Sequence, residues 1–230
     1  MEQAVNHFIN QHALQRVTAR AVLDRGMATV QRFTGDALLL YSEEAELHVL
    51  CADSDQAALA ILEGVTDCEL LVNERTGADE SIMARYGFTH RGLCYNVVYP
   101  HKRPIALDTD IVLKPIPLAL LPIVQRNYTL IGPEGVEEHV RDGSMLGGFQ
   151  GEDMVGFIGQ HSERSMGMLF IFPEHRRKQY GYTLEALLIN RLLEQGETPY
   201  AQIYTDNHAS LALQAKLGMV RSEDVVSWLH

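Results

Sequence analysis

Apolar and polar residues follow two different periods along this chain, and together the two periods predict a mixed α/β fold. In residues 1–104 the predicted helices are 1–33, 54–64 and 78–86, and the predicted strands are 37–41, 47–52, 68–72 and 93–99. The strands at 37–41 and 47–52 flank a short acidic turn, which is typical of a β-hairpin. This N-terminal part of the chain is therefore expected to pack helices against a sheet.

A proline-rich segment separates the N-terminal part from residues 105–230, the C-terminal part. Four of the eight prolines fall within residues 100–117, and we predict a linker at 100–104. In the C-terminal part the predicted strands are 111–113, 145–150, 154–161, 165–172, 200–205 and 225–229, and the predicted helices are 118–128, 134–141, 179–196 and 207–217. Residues 84–88 and 215–219 close a helix in the same way, which suggests a degenerate internal duplication.

Residues 168–196 carry the most specific pattern: an apolar strand, a basic loop and an amphipathic helix. The strand ends at Pro173, because proline cannot donate a hydrogen bond to a neighbouring strand. The basic loop contains His175, Arg176, Arg177 and Lys178. The helix is expected to begin between Gln179 and Gly181 and to end at Gly196. A helix start presents unpaired N–H groups and a partial positive charge, so this order predicts a phosphate site; a solvated basic loop is the alternative.

Composition favours a globular protein with a small-molecule ligand. The chain has 46% hydrophobic residues, and 19 basic against 30 acidic residues give a net charge of −11. This charge repels nucleic acid and anionic membranes, so the basic run at 175–178 is a local exception that favours a small polyanion. Cys51, Cys68 and Cys94 form no C-x-x-C pair and are expected to be buried and reduced. We see no secretion signal or membrane span and expect a cytoplasmic protein.

The C-terminal part resembles the GCN5-related N-acetyltransferase superfamily. The resemblance rests on the strand, basic loop and helix, followed by a strand and the segment Asn207-x-x-Ser210-x-x-Leu213-x-x-x-Leu217-Gly218. The Pro173-Glu174-x-Arg176 turn and Trp228 look most like the glycine N-acyltransferase-like, or FR47-like, branch. The resemblance implies an α/β (α+β) fold with a mixed central sheet, flanking helices and two tandem halves. The first half, residues 1–104, would be degenerate, and residues 105–230 would bind acyl-coenzyme A.

The resemblance also implies a binding site for the cofactor. In the family, a loop of the form Arg or Gln, x, x, Gly, x, Gly or Ala holds the pyrophosphate of acyl-coenzyme A, and the preceding strand splays from its neighbour to pair with pantetheine. The implied cofactor-binding residues are Phe170, Ile171, Phe172, Arg176, Arg177, Lys178, Gln179, Tyr180, Gly181, Tyr182, Asn207 and Ser210. Gln179 departs from the pattern, because it replaces the first glycine. The corresponding turn of the N-terminal part has no glycine and contains Asp53 and Asp55, so no second cofactor is expected there.

Acylation of an amine by a thioester needs a deprotonated amine, a polarised carbonyl and a proton for the leaving thiolate. In the glycine N-acyltransferase branch a glutamate opens the strand before the phosphate loop, and the matching position here is Ser165. Glu163 lies two residues earlier and is the predicted base, with His161 second; an acidic hairpin tip that is merely solvated is the alternative. The tyrosine that many relatives use as the acid is replaced by Gln214.

Two classes of function remain open. The first is an N-acyltransferase, most simply an acetyltransferase, acting on a small-molecule or amino-acid-like amine that the N-terminal part helps to enclose. The second is a catalytically weak acyl-coenzyme A-binding module with a regulatory or interaction role. The ten histidines show no metal-ligand spacing, and G-x-S-x-G is absent, so neither metal chemistry nor serine hydrolysis is predicted.

Overall fold

The structure, a computed structural model, describes all residues from 1 to 230. The elements of the N-terminal part are α1 (Glu2–Gln11), α2 (Val17–Asp24), β1 (Thr29–Phe33), β2 (Ala37–Ser42), β3 (Leu47–Ala52), α3 (Asp55–Ile61), β4 (Leu71–Asn73), α4 (Asp79–Tyr86) and β5 (Arg91–Val98). Those of the C-terminal part are β6 (Ile111–Pro115), α5 (Leu121–Asn127), α6 (Pro133–Arg141), β7 (Met145–Gln150), β8 (Asp153–Gln160), β9 (Met166–Ile171), α7 (Tyr180–Glu194), β10 (Tyr200–Tyr204), α8 (His208–Lys216) and β11 (Val220–Leu229). None of the helices combines the length and the apolar composition needed to cross a bilayer.

The eleven strands form one mixed sheet in the order β1-β2-β3-β4-β11-β5-β10-β9-β8-β7-β6. The last strand of each part is inserted beside strands of the other part: β11 lies between β4 and β5, and β5 lies between β11 and β10. Cys94 of β5, for example, is paired with both Val226 of β11 and Tyr204 of β10. The mixed α/β fold is confirmed. The division at residues 104 and 105 stays a prediction, and strand pairing crosses it.

Four apolar clusters cover the two faces of the sheet. On one face α1 and α2 pack over the N-terminal strands, and α5 and α6 pack over β7, β8 and β9. On the other face α3 and α4 lie over the N-terminal strands, and α7 lies over the C-terminal ones. Side chains of a strand alternate between faces, so Cys94 of β5 points to the first face and Val97 to the second. The three cysteines are buried and free, as predicted.

Residues 1–33 differ from the single helical stretch that their periodicity predicts. They form α1, α2 and the edge strand β1. The two helices are separated at Arg16, whose side chain is only 1% exposed and is held between Phe8 O, at 2.7 Å, and the carboxylates of Asp53 and Glu74. The sequence pattern did not predict strand β1, because its residues are exposed or only partly buried and include no continuous apolar run.

The pattern at residues 168–196 predicts its local structure correctly. Strand β9 is followed by a short 3-10 turn at Pro173–His175, and α7 begins at Tyr180. Gly196 has a φ of 77°, the left-handed conformation that glycine adopts readily at a helix end. The N–H of Glu197 then donates to Leu192 O at 2.9 Å, which closes the last turn.

Candidate functional site

Strands β9 and β10 begin side by side and then part. Their parallel pairing is confined to Met166 and Ala201. On its other edge β9 stays paired with β8 as far as Ile171, with a register shift near Met168, whose φ is 55°. The splayed strands therefore leave an open cleft along β9, as the resemblance implies.

The backbone of β9 presents only some of its groups to this cleft. The N–H of Phe172 donates to Val155 O of β8 at 3.1 Å. Backbone groups alternate sides along a strand, so those of Ile171 point toward the cleft, and its carbonyl accepts from Arg176 Nε at 3.1 Å. The rings of Phe170 and Phe172 pack against Phe157 in the core. Of the three predicted pantetheine contacts, Ile171 has the orientation for backbone pairing.

The predicted phosphate loop lines a pocket of about 370 Å³, which we call the loop pocket. Its lining residues are Ile171, His175, Arg176, Arg177, Gln179, Tyr180, Gly181, Tyr182, Leu213 and Lys216. The backbone N–H groups of Tyr180, Gly181 and Tyr182, at the start of α7, have no acceptor within the protein. Free N–H groups, three cationic side chains and a helix N-terminus fit a pyrophosphate group.

Gln179 occupies a conformation that explains the glycine in the family pattern. Its φ is 62°, in the left-handed region that costs a residue with a side chain on the order of 1 kcal/mol. The side-chain oxygen of Gln179 accepts a hydrogen bond from Lys216 Nζ at 3.1 Å. Lys216 comes from α8, and sequence reasoning missed it, because nothing in its own neighbourhood marks it as a phosphate ligand.

Besides Phe170 and Phe172, whose rings pack in the core, three predicted cofactor residues lie outside the loop pocket. Lys178 places Nζ 5.9 Å from the ring of Tyr180. Asn207 caps α8, and its side-chain oxygen accepts from the N–H of Ser210 at 3.1 Å. The capping contact is a structural role for this pair, and cofactor binding by these three residues stays a prediction.

A second pocket, the central pocket, lies on the face of the sheet between the helices of the two parts of the chain and encloses about 380 Å³. Its lining residues are Ala45, Leu47, Leu70, Cys94, Tyr128, Leu130, Ile131, His139, His161, Ser162, Glu163, Ser165, Gln202, Tyr204 and Trp228. Ala45, Leu47, Leu70 and Cys94 belong to the N-terminal part. The pocket therefore depends on both parts of the chain.

Glu163 lies in the turn between β8 and β9 and is 5% exposed. Its Oε1 accepts a hydrogen bond from the hydroxyl of Ser165, the residue that stands at the family's glutamate position. Its Oε2 makes no hydrogen bond within the protein and is not fully buried. The structure thus brings Glu163 to Ser165 and leaves one carboxylate oxygen available to the central pocket.

The turn that carries Glu163 is fixed from several directions. The hydroxyl of Tyr200 donates to Glu163 O at 2.6 Å. Arg164 turns away from the pocket toward the N-terminal part, where it contacts Met27 Sδ at 3.4 Å and Glu44 at 3.5 Å. His161 also lines the pocket, with its ring lying directly over Gly167. The turn therefore holds Glu163 and His161 on one side of the same pocket.

His139 is a further titratable residue of the central pocket, and it was not predicted. Its Nδ1 lies 2.6 Å from the hydroxyl of Ser144, which in turn donates to Asp142 Oδ1 at 2.6 Å. Because that hydroxyl donates its proton to Asp142, Nδ1 of His139 is the donor in the contact with Ser144. The lone pair of the ring is then on Nε2. Burial lowers the pKa of His139 below its ordinary value of 6.5, so the ring is neutral at pH 7.

The lowered pKa of His139 predicts an acid-sensitive contribution to stability. The unfolded chain binds the proton more readily than the folded one, so folding loses stability as the pH falls below 6.5. Between pH 7.5 and pH 5.5, the free energy of unfolding should fall less in His139→Gln than in the wild type. The difference should be at most about 1 kcal/mol, because the residue is only half-buried. Denaturant unfolding at both pH values measures this difference. The exposed His101→Gln serves as the control, and an unchanged pH dependence in His139→Gln would contradict the prediction.

Other polar groups of the pocket are neutral or already paired. Burial raises the pKa of Cys94 to about 12 and that of Tyr128 to about 12, so neither ionises at neutral pH. Trp228 Nε1 donates to Gln202 Oε1 at 2.9 Å, which fixes the indole ring. No cluster of three His, Cys, Asp or Glu residues could hold a metal ion.

Gln214, at the family's acid position, is buried and donates to Glu185 Oε2 at 2.6 Å. Burial raises the pKa of Glu185 to about 7, and the hydrogen bond from Gln214 opposes the shift. The pair joins α7 to α8, and neither residue lines the loop pocket or the central pocket.

In the N-terminal part the corresponding strands do not splay apart. Strands β3 and β4 remain paired over three residues, and the N–H of Glu74 then donates to Leu50 O at 3.0 Å. The start of α3 is capped by Ser54, whose hydroxyl accepts from the N–H of Ala57 at 3.1 Å. Arg16 is already held by Asp53 and Glu74. No splayed cleft is therefore present here, and the helix start already has a side-chain cap.

We expect one coenzyme A per chain, because the loop pocket has an open cleft beside it and the N-terminal equivalent has none. Calorimetric titration with acetyl-coenzyme A should give a stoichiometry near one. A Gly181→Glu variant, which places a carboxylate in the loop pocket, should abolish the binding heat. Two equivalent sites per chain, or residual binding by this variant at full stoichiometry, would contradict the prediction.

Known proteins resemble this chain in part of its sequence and in its fold. Residues 145–229 match the family model described as FR47-like protein. A Drosophila protein of known structure aligns with a TM-score of 0.67 at 16% identity, over 99% of this chain and 94% of its own. An acetyltransferase described as a GNAT family member, from Novosphingobium aromaticivorans, aligns with a TM-score of 0.55 at 14% identity, over 92% and 94% of the two chains.

A tandem GNAT protein from the clavulanic acid biosynthesis pathway aligns with a TM-score of 0.50 at 14% identity, over 94% of this chain and 87% of its own. No curated protein matches the sequence. At these identities the solved structures establish the fold. The chain has the GCN5-related N-acetyltransferase fold, and its residues 145–229 match the FR47-like family model.

Proposed function

We propose that the protein is an acyl-coenzyme A-dependent N-acyltransferase, most simply an N-acetyltransferase, that acts on the amine of a small molecule. The observation that carries the proposal is the position of the cleft between β9 and β10. At one end Ile171 lines the loop pocket; at the other, Ser165 and Gln202 line the central pocket. A cofactor held by its phosphates along this cleft would direct its thioester toward the central pocket.

Each part of the site has a proposed role. Arg176, Lys216 and the free N–H groups of α7 hold the pyrophosphate, and Ile171 pairs with the arm of the cofactor. Glu163 receives the amine proton, directly or through a water, and His161 is the second candidate. The amine nitrogen forms a bond to the acyl carbon, the carbon–sulfur bond breaks, and coenzyme A leaves as the thiol after regaining a proton.

The comparisons support acyl transfer at the level of the superfamily, since several structures with this fold are described as acetyltransferases. We also propose that residues 1–104 are a degenerate half of the same fold and that they complete the acceptor pocket. The test is release of free thiol from acetyl-coenzyme A in the presence of a panel of primary amines. Acceptor-dependent release is expected, and binding of acetyl-coenzyme A without release by any amine would overturn the proposal.

A catalytically weak acyl-coenzyme A-binding module is the second candidate. It is favoured by Gln179 in a left-handed conformation, by Ser165 in place of a glutamate and by the buried Gln214 in place of a tyrosine. The same assay separates the two functions, because a binding module would hold acetyl-coenzyme A at the loop pocket without acceptor-dependent thiol release.

A further inference from the structure

The central pocket is lined by one carboxylate and two histidines but by no lysine or arginine. Glu163 is the only carboxylate among its fifteen lining residues, nine of which are hydrophobic, and no lysine or arginine lines it. Two arginines near the turn that carries Glu163 are paired with other carboxylates. Arg164 contacts Glu44, and Arg25 is paired with Glu197. A negative charge on a ligand would therefore find no lysine or arginine in this pocket, and burial holds His139 in its neutral form by lowering its pKa.

This arrangement discriminates between classes of amine. A carboxylate that enters a half-enclosed pocket loses water, and without a cation it regains no comparable interaction. It would also lie near Glu163, and the net charge of −11 adds to the repulsion. An ammonium group, in contrast, is attracted by the free Oε2 of Glu163 before it gives up its proton.

The remaining surface of the pocket suits an apolar body. The side chains of Tyr128, Tyr204 and Trp228 supply aromatic surface, and Trp228 is held in place by Gln202. A cavity of about 150 Å³ is enough for a benzene ring, so the 380 Å³ of this pocket admits one ring and a short chain that carries the amine.

We propose, resting on the N-acyltransferase function above, that the acceptor is a monoamine with an aromatic or apolar body and no carboxylate. The acceptor class therefore excludes free amino acids. Glu163 selects the amine by charge, and the absence of a lysine or arginine from the central pocket disfavours the acid.

Binding of the acceptor can be measured independently of turnover, because Trp228 is the only tryptophan in the chain and lies in the pocket. The probes are 2-phenylethylamine, phenylalanine and phenylalanine methyl ester, added to the complex with coenzyme A while Trp228 fluorescence is recorded. The amine and the ester are expected to bind at least tenfold more tightly than phenylalanine. Equal or tighter binding of phenylalanine, or binding of none of the three, would overturn the inference.

A variant tests the electrostatic cause. Leu130 lines the pocket and is 82% exposed, so Leu130→Arg adds a cation at the rim without burying it. In this variant the ratio of the dissociation constants of phenylalanine and 2-phenylethylamine should fall several-fold. Leu118→Arg is the control, at a 50% exposed site outside the pocket, and should leave this ratio unchanged. An unchanged ratio in Leu130→Arg would contradict the inference. Tight amine binding without thiol release would instead count against the N-acyltransferase function alone.

Discussion

Replacing Arg176 by alanine is expected to weaken the binding of acetyl-coenzyme A by about tenfold to a hundredfold. The side chain lines the loop pocket beside the start of α7, and its Nε is oriented by Ile171 O at 3.1 Å. Loss of one charge-assisted contact to phosphate costs about 1.5–3 kcal/mol, and about 1.4 kcal/mol corresponds to tenfold in the dissociation constant. Calorimetric titration of the variant with acetyl-coenzyme A measures the change.

Two controls make this test specific. Lys178→Ala removes a cation from the same loop but outside the pocket, so its effect should be much smaller. Gly181→Ala should bind nearly as well as the wild type, because an added Cβ would meet only Leu169 and Leu213, at 3.8 and 3.9 Å. Wild-type affinity in Arg176→Ala, or equal losses in Arg176→Ala and Lys178→Ala, would move the phosphate site away from the loop pocket.

The loop pocket could be predicted because its information is local. Strand, turn and helix follow one another within residues 166–194, and the apolar period, Pro173 and Gly196 each fix one boundary. The exception is Lys216, which reaches the pocket from α8 through its contact with Gln179. No local sequence pattern predicts the contact between Lys216 and Gln179, because the distance between α7 and α8 is set by tertiary packing.

The exchange of strands between the two parts could not be predicted. Apolar runs identify β5 and β11 as strands but carry no information about their neighbours, and the two lie more than a hundred residues apart in the sequence. Their pairing is reinforced by contacts of the same long range, such as the N–H of Asn96 with the hydroxyl of Ser222 at 3.1 Å. The sheet order became visible only in three dimensions.

The central pocket was missed for the same reason. Its lining residues are dispersed along the chain. They come from α5, α6, the turn before β9, and strands β3, β5, β10 and β11, or from segments beside these elements. Each of them is unremarkable in its local sequence. Glu163 was identified only through the position of Ser165 relative to the family pattern. His139 carries no comparable signal, since its role depends on Ser144 and Asp142 folding back toward it after α6 ends.

Glu163→Gln is expected to lower kcat/KM for the amine acceptor by at least about 100-fold, because a positioned base contributes about 10²–10⁴-fold. The substitution should preserve the local structure, since the glutamine oxygen can still accept from Ser165. The acidic limb of the pH profile should flatten, because the predicted base has been removed. Affinity for acetyl-coenzyme A should stay unchanged, since Glu163 does not line the loop pocket.

Steady-state kinetics across the pH range, with coenzyme A titration in parallel, measure these effects together. Glu152→Gln, an exposed acid in the turn between β7 and β8, is the matched control and should behave as the wild type. Full activity of Glu163→Gln at every pH would remove Glu163 as the base, and His161 and His139 would then be tested in turn. Equal losses of activity and of coenzyme A affinity would indicate a disturbed fold of the β8–β9 turn, not a lost proton acceptor.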